Sequence, residues 1–241
     1  MTGMHDHRTR KMIRAVMYTL IALSAILYSA VLGGAAEVVY SWHNTDGGNE
    51  EKNIALTFDD GPHPVYTPEI LDILSEYGVR ATFFTIGENV EYYNDLIGME
   101  AAAGHEIGNH TYSHMNLKKL PYQSVCREIE RTERAIYETI EYRTRLLRPP
   151  EGAFGNNVCL AAAELDYTVI CWSVDTRDWA HTPVADIVDN VLSSVKGGDI
   201  ILFHDYVSGE SPTPEALRII IPELISRGYN FVTVSELMNL R

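Results

Sequence analysis

Short runs rich in β-branched and aromatic residues alternate along the chain with longer amphipathic stretches. The short runs predict seven β-strands, because such residues favour strands. These strands are predicted at residues 54–58, 81–86, 105–109, 146–148, 167–174, 199–203 and 229–234. Helices are predicted between them, the clearest at 67–77, 121–141 and 183–195. Alternation of strands and helices predicts an α/β fold with a parallel sheet, either open or closed into a barrel.

A run without charged residues at 15–36 forms a second pattern. It is preceded by four basic residues, Arg8, Arg10, Lys11 and Arg14. Because ~20 helical residues cross a hydrocarbon core and basic flanks stay in the cytoplasm, the run predicts a transmembrane anchor or a signal segment after a basic cytoplasmic tail at 1–14. A buried core helix is the alternative interpretation. We therefore expect the remainder outside the cytoplasm, membrane-anchored or secreted, in a bacterial cell envelope.

The rest of the chain has the composition of one globular domain. Residues 37–52 are polar, contain a glycine pair and predict a linker, so the domain is expected at 53–241. Without the N-terminal 36 residues, 15 basic and 32 acidic residues remain, a formal charge of −17. This balance argues against nucleic acid as a partner, since phosphate binding needs clustered Lys and Arg. The three cysteines are too widely spaced for a disulfide framework or a zinc motif.

Polar residues follow the predicted strands at the points where the strands end. They are Asp59 and Asp60 after the first strand, His110 and His114 after the third, Arg148 after the fourth, Asp175 and Asp178 after the fifth, and His204 after the sixth. Parallel α/β sheets place their sites at the carboxyl ends of strands. We therefore expect these side chains to converge on one face of the sheet.

The segment HTYSH contains a pair of histidines, His110 and His114, four residues apart. On a helical turn this spacing places two imidazoles on one side, close enough to share an ion. A third, anionic ligand could come from Asp59 or Asp60, giving the three protein ligands of an open catalytic zinc site. The alternative is a pair of surface or core histidines.

The adjacent carboxylates Asp59 and Asp60 are expected to take different parts beside one cation. One would bind the ion, and its neighbour could accept a proton from a water molecule whose pKa the ion has lowered to about 7. Such a pair would generate a hydrolytic nucleophile at neutral pH. The alternative for residues 59–62 is a plain turn, because Asp-Gly and Gly-Pro are turn signals.

Five segments of the sequence resemble, in order and spacing, the motifs of the polysaccharide deacetylases, carbohydrate esterase family four. They are TFDDGP at 57–62, HTYSH at 110–114, RPPEG at 148–152, DTRDW at 175–179 and LFH at 202–204. The resemblance covers residues 53–234. It implies a distorted (β/α) barrel and metal-dependent removal of N-acetyl groups from sugars such as N-acetylglucosamine, in peptidoglycan or chitin-like polymers.

The same resemblance implies which residues bind the metal and activate the nucleophile. Asp60, His110 and His114 correspond to the metal ligands. Asp59 corresponds to the general base, and Arg148 to the residue that orients it. A set of two histidines and one carboxylate suits zinc and is also compatible with cobalt, nickel, manganese or iron.

The remaining roles implied by the resemblance concern the leaving group and the substrate. His204 corresponds to the general acid that protonates the departing amine, and Asp178 to its supporting carboxylate. Leu202 and Trp179 would line the acetyl pocket, and a backbone N–H near Glu151 would hold the oxyanion. The third motif is often RPPYG in the family, so Glu151 replaces an aromatic residue and leaves the substrate preference open.

Several functions remain compatible with these motifs. The first is deacetylation of peptidoglycan or chitin oligomers; a muramic-acid-specific deacetylase and an O-acetyl xylan esterase on the same fold are alternatives. A non-catalytic wall-binding relative is the alternative from a different class, although no ligand, base or acid is missing from the motifs. We expect the membrane to be a partner through residues 15–36. No protein partner is predicted.

Overall fold

The structure is a computed structural model, and it describes residues 36–42 and 52–238. The strands in these ranges are β1 (Val38–Val39), β2 (Asn53–Asp59), β3 (Thr82–Thr85), β4 (Glu106–Asn109), β5 (Leu146–Leu147), β6 (Thr168–Ile170), β7 (Val174–Asp175), β8 (Ile200–His204) and β9 (Asn230–Phe231). The α-helices are α1 (Tyr66–Tyr77), α2 (Gly87–Tyr92), α3 (Asn94–Ala102), α4 (Tyr122–Ile140), α5 (Asn156–Glu164), α6 (Val184–Ser194), α7 (Thr213–Ser226) and α8 (Val234–Leu237). Short 3-10 helices lie at Leu117–Lys119, Pro150–Gly152 and Asp178–Ala180.

The strands form one parallel sheet, which confirms the predicted α/β class. Their order is β1-β6-β5-β4-β3-β2-β8-β7, and β9 pairs with β2 beside this path. The named strands pair in parallel throughout. Helices connect most of the consecutive strands, as crossovers between parallel strands require. The result is a parallel half-barrel, which is consistent with the distorted (β/α) barrel that the resemblance implies, with nine strands in the described ranges where seven were predicted.

The single strand predicted at 167–174 is wrong in the structure, because the segment divides into β6 and β7. The backbone N–H of Cys171 donates to Val39 O in β1, whereas that of Ser173 donates to Ile200 O in β8. Within three residues the chain therefore leaves one edge of the sheet and joins the other. A run of β-branched and aromatic residues cannot reveal this change of partner, since local propensity carries no information about pairing.

The start of the predicted linker at 37–52 is also structured. Val38 and Val39 form β1, which pairs with β6, and Val39 is buried. Three residues later, the Trp42 N–H donates to Gly198 O, 2.7 Å away. The described part of this segment therefore contacts both sides of the sheet. It pairs with β6 on one side and bonds to the residues just before β8 on the other.

The position of the apolar core determines which residues of β2 and β8 can face a site. Phe58 and Phe203 lie opposite each other in β2 and β8, and their ring centroids are 5.9 Å apart. They belong to the apolar cluster between the sheet and the outer helices. Because successive residues of a strand point to opposite faces, Asp59 and His204 point away from that cluster, towards the inside of the half-barrel.

The helices predicted from periodicity agree with the structure to within one residue at each end. The segment predicted at 121–141 is α4, whose buried stripe includes Val125, Ile129 and Ile136. The run at 15–36 lies outside the described residues, apart from its last residue. In the described ranges, no helix combines the length and the apolar character needed to cross a bilayer. The anchor or signal segment thus stays a prediction.

Candidate active site

The candidate site lies at the carboxyl ends of β2, β4 and β8. Asp59 ends β2 and His204 ends β8, and the two residues are direct partners across the parallel pair. His110 follows β4 at once, and its backbone N–H donates to Thr85 O at the end of β3. The expected convergence of separate strand ends is therefore present.

Three of these side chains bring their potential ligand atoms together. Asp60 Oδ1 lies 3.3 Å from His110 Nε2 and 3.0 Å from His114 Nε2. One ligand atom from each of the three residues lies within 4.8 Å of the others. Asp60 has a positive φ of 76°, a conformation that Asp tolerates better than most residues. This turn aims its carboxylate at the two imidazoles.

The predicted helical turn at HTYSH is wrong, although the two imidazoles do converge. Residues 110–114 form an irregular loop, in which Thr111 and His114 have positive φ values. The Glu128 carboxylate on α4 accepts hydrogen bonds from the backbone N–H groups of Tyr112 and Ser113. The ring centroids of His110 and His114 are 5.1 Å apart. A side chain distant in sequence therefore shapes the loop that places both rings.

The hydrogen bonds of His110 and Asp60 fit a bound cation. His110 Nδ1 lies 2.7 Å from Arg148 O, so this nitrogen carries a proton, and Nε2 is directed at Asp60. Asp60 Oδ1 is buried but makes no hydrogen bond of acceptable geometry in the described structure. Burial favours the neutral acid, but the nearby His110 and His114 rings outweigh it and hold the pKa of Asp60 far below its usual value. An anionic oxygen thus faces two imidazoles, as in a metal site.

Asp59 is held by a fully buried arginine. Arg148 Nη1 donates to Asp59 Oδ1 and to Thr57 Oγ1, both 2.7 Å away. The other guanidinium nitrogens donate to Ile170 O and Cys171 O. The free oxygen of Asp59, Oδ2, lies 3.7 Å from His110 Nε2 and so points towards the three-residue cluster. Arg148 therefore both neutralises this carboxylate and fixes its direction.

His204, the partner of Asp59 in the sheet, forms a further part of the site together with Asp178. His204 Nδ1 lies 2.7 Å from Asp178 Oδ1. Asp178 Oδ2 accepts the backbone N–H of His204 and the hydroxyl of Thr213. Asp178 is fully buried, so these bonds leave it little freedom to rotate. The arrangement places the Nδ1 proton on the Asp178 side and leaves Nε2 for a reacting group.

The surroundings of His204 favour its protonated form. Burial alone would lower its pKa, but the Asp178 hydrogen bond and the charges of Asp178, Asp59 and Asp60 raise it to about 9. The site thus combines the ionised carboxylate of Asp60 with a cationic His204 imidazole at neutral pH. A base and a separate acid in one site are what amide hydrolysis requires, because an amine leaves poorly unless it is protonated.

Comparisons with known proteins agree with this geometry. The sequence model for polysaccharide deacetylase matches residues 46–170. A peptidoglycan-N-acetylglucosamine deacetylase from Bacillus cereus is 42% identical over 195 residues, which are 80% of this chain and 91% of that protein. The chain belongs to the polysaccharide deacetylase family.

Two further members of the family illustrate its range. A chitooligosaccharide deacetylase from Sinorhizobium fredii is 39% identical over 193 residues, 76% of this chain and 90% of that protein. A crystal structure of a peptidoglycan N-acetylglucosamine deacetylase has a TM-score of 0.79 at 36% identity, covering 84% of this chain and 92% of that one. The deacetylase resemblance derived from the five motifs is thereby confirmed.

The residues predicted to contact substrate lie around this centre. Leu202 is buried and shares a face of β8 with His204, two residues away. Trp179 is 51% exposed, and its backbone N–H donates to Asp178 Oδ1. Glu151 has a positive φ of 58° and is exposed, and its Oε2 accepts a hydrogen bond from Asn116 Nδ2 at 2.5 Å. Asp175 caps a turn by accepting the Arg177 N–H.

Sequence reasoning missed several residues that support the site. Asp205, next to His204, is buried, and its Oδ2 accepts the Thr67 hydroxyl at 2.5 Å. A Cβ added to Gly61 would lie 1.9 Å from that oxygen, so only glycine fits after the Asp pair. The signal was present in the sequence, as a carboxylate directly after the last motif. Thr213 and Glu128 offered no comparable signal.

Proposed function

We propose that this protein removes N-acetyl groups from amino-sugar polymers, with N-acetylglucosamine residues of peptidoglycan or chitin-like chains as substrates. One observation carries the proposal. The Asp60–His110–His114 cluster lies beside an arginine-held carboxylate, Asp59, whose partner in the sheet is a carboxylate-held imidazole, His204. The names of the relatives support the same class of substrate.

Asp60, His110 and His114 would hold a divalent cation through one oxygen and two Nε2 atoms. Zinc suits this donor set best, and cobalt, nickel, manganese and iron are compatible with it. Such a cation, when bound, polarises the acetamide carbonyl and makes a nearby water molecule more acidic. The Arg148 carbonyl orients His110 by accepting its Nδ1 proton, so that Nε2 points to the cation position.

The chain's own residues supply the proton transfers. Asp59 accepts the proton of the attacking water through Oδ2, the oxygen that Arg148 leaves free. His204 donates its Nε2 proton to the departing amine, and Asp178 keeps the ring oriented during this step. A backbone N–H near Glu151 stabilises the developing oxyanion, and Leu202 and Trp179 contact the acetyl group. Arg148 contributes by holding Asp59 through a charge-assisted hydrogen bond to Oδ1, which leaves Oδ2 directed towards His110.

The protein is further proposed to work outside the cytoplasm, at a bacterial cell envelope. The apolar run at 15–36 with its basic flank supports this location, either as an anchor or as an export signal. The acidic body is consistent with capture of neutral glycan rather than of polyanions. The membrane and the wall polymer would then be the two partners of the chain.

Acetate release from an N-acetylglucosamine oligomer tests the proposed function. The wild-type protein should release acetate, and chelation should abolish the release until a divalent metal is restored. Asp59→Asn should lower kcat at least a hundredfold, because the general base is lost while the fold is kept.

Asp72→Asn, an exposed aspartate on α1, serves as the matched control and should retain full activity. An acetylxylan substrate run in parallel distinguishes N-acetyl from O-acetyl preference. Turnover that survives both chelation and Asp59→Asn would contradict the mechanism, and faster turnover of acetylxylan would contradict the substrate class.

A further inference from the structure

A group of three aromatic rings extends the candidate site beyond the acetyl-binding region. The His63 ring lies 5.1 Å from the Tyr66 ring and 5.0 Å from the Tyr206 ring, at interplanar angles of 22° and 32°. No contact between the two tyrosine rings is found in the described part of the chain. His63 therefore lies in the middle of this group, which we call the ring stack (His63, Tyr66 and Tyr206).

The ring stack is close in sequence to the reacting groups at the ends of β2 and β8. His63 follows Asp60 by three residues, and Tyr206 follows His204 by two. A chain advances at most about 3.6 Å per residue, so the Cα atoms of Tyr206 and His204 are separated by no more than about 7 Å. Since Asp59 and His204 are partners in the sheet, the loop after β2 and the loop after β8 begin side by side. The ring stack thus lies on the two loops that directly follow the predicted base, Asp59, and the predicted acid, His204.

Hydrogen bonds fix the supporting rings of the stack in place. The Tyr66 hydroxyl donates to Gly209 O and accepts the Ser211 N–H, which ties it to the loop after β8. The His63 N–H donates to Thr67 Oγ1 at 2.8 Å, and His63 Nδ1 accepts backbone N–H groups of the same turn. The positions of these two rings are therefore determined before any ligand binds.

Tyr206 differs from the other two rings. It is 41% exposed, and its hydroxyl makes no hydrogen bond with a described residue. It therefore presents a supported ring face and an available hydroxyl to solvent. This combination suits a pyranose ring, whose C–H face packs on an aromatic ring while the hydroxyl groups around it accept and donate hydrogen bonds.

We propose that Tyr206, supported by His63 and Tyr66, binds the sugar residue next to the one that is deacetylated. This inference rests on the proposed function, because it assigns a second subsite to the same glycan. The subsite takes a neutral hexosamine ring of an oligomer. Such a subsite would allow the protein to hold a polymer beyond the acetyl group itself.

The test compares substrates that can and cannot reach the ring stack. kcat/KM is measured for the N-acetylglucosamine monomer and for the β-linked tetramer, with wild type and Tyr206→Ala. In Tyr206→Ala the ratio of tetramer to monomer should fall about tenfold, mainly through a higher KM for the tetramer. Tyr206→Phe keeps the ring and should recover most of the ratio. Tyr92→Ala, a 75% exposed tyrosine on α2, is the matched control and should leave the ratio unchanged.

A binding measurement separates this inference from the proposed function. Titration calorimetry with the tetramer is made on Asp59→Asn and on the double variant Asp59→Asn/Tyr206→Ala. The second protein should bind about tenfold more weakly. Equal binding, or an equal tetramer-to-monomer ratio in Tyr206→Ala and wild type, would overturn the subsite. Absence of turnover by wild type with both sugars would instead overturn the proposed function.

Discussion

The strongest single-residue prediction concerns Asp178, which contributes most among the groups that overcome burial and raise the pKa of His204 to about 9. A general acid with a raised pKa remains protonated at neutral pH. On the alkaline limb of the pH profile, activity should therefore fall only as the pH rises through the pKa of His204. A cation on Asp60 adds positive charge nearby, so this limb should lie at or below pH 9. In Asp178→Asn, burial is opposed only by the charges of Asp59 and Asp60, so the limb should move down by about two pH units. The pH dependence of kcat measures the shift.

Asp175→Asn is the matched control for this experiment, since Asp175 lies three residues earlier and only caps a turn. Its alkaline limb should coincide with that of wild type. The same raised pKa contributes stability that is complete below pH 6.5 and is lost as the pH rises through about 9. An Asp178→Asn protein with an unchanged kcat profile would show that His204 is not the titrating acid.

At the scale of the elements, the sequence predicts what is local and misses what depends on pairing. The helical stripe of α4 and the strand before Asp59 both follow from the periodicity of apolar residues. The division of 167–174 into β6 and β7 does not, because the change of partner at Cys171 is set by the whole sheet. The HTYSH loop shows the same limit, since the motif identified the two histidines, whereas the irregular loop held by Glu128 on α4 brings their rings together.

At the amino ends of β3 and β4, away from the candidate site, one histidine gives a prediction about the pairing of these two strands. His105, just before β4, is buried, and its Nδ1 accepts the Ala81 N–H at 3.2 Å. Burial and the nearby Arg80 charge lower the pKa of His105 to about 4. As the pH drops below 6.5, His105 binds a proton in the unfolded chain but not yet in the folded chain. The free energy of unfolding therefore falls between pH 6.5 and pH 4. The loss should reach about 3 kcal/mol.

Urea unfolding at a series of pH values, with chelator present throughout, measures this contribution. His105→Gln should flatten the curve of unfolding free energy between pH 6.5 and 4, even if it lowers the value at pH 7. His181→Gln removes an exposed histidine and should keep the slope of wild type. An unchanged slope in His105→Gln would assign the acid sensitivity to other groups.

At the scale of the whole molecule, the segment 36–42 joins the two sides of an open sheet. β1 pairs with β6, and the N–H of Cys171 donates to Val39 O at 2.7 Å. Ser41 bridges Asp199, and Trp42 donates to Gly198 O. Val39 packs in the inner apolar cluster together with Phe84 and Ile200. The segment that sequence reasoning treated as a linker is therefore part of the folded domain, and its removal should loosen both edges of the sheet.

Truncation of Val39 tests this role without removing the segment. Val39→Ala deletes two buried methyl groups and should lower the free energy of unfolding by about 2 kcal/mol, which is a fall of about 4–8 °C in Tm for a chain of this size. Tyr40→Ala, at a side chain that is 52% exposed, should cost less than half as much. Thermal unfolding of both variants and wild type gives the comparison. Equal Tm values for Val39→Ala and wild type would mean that the sheet is held without β1, because a buried strand residue cannot lose packing at no cost.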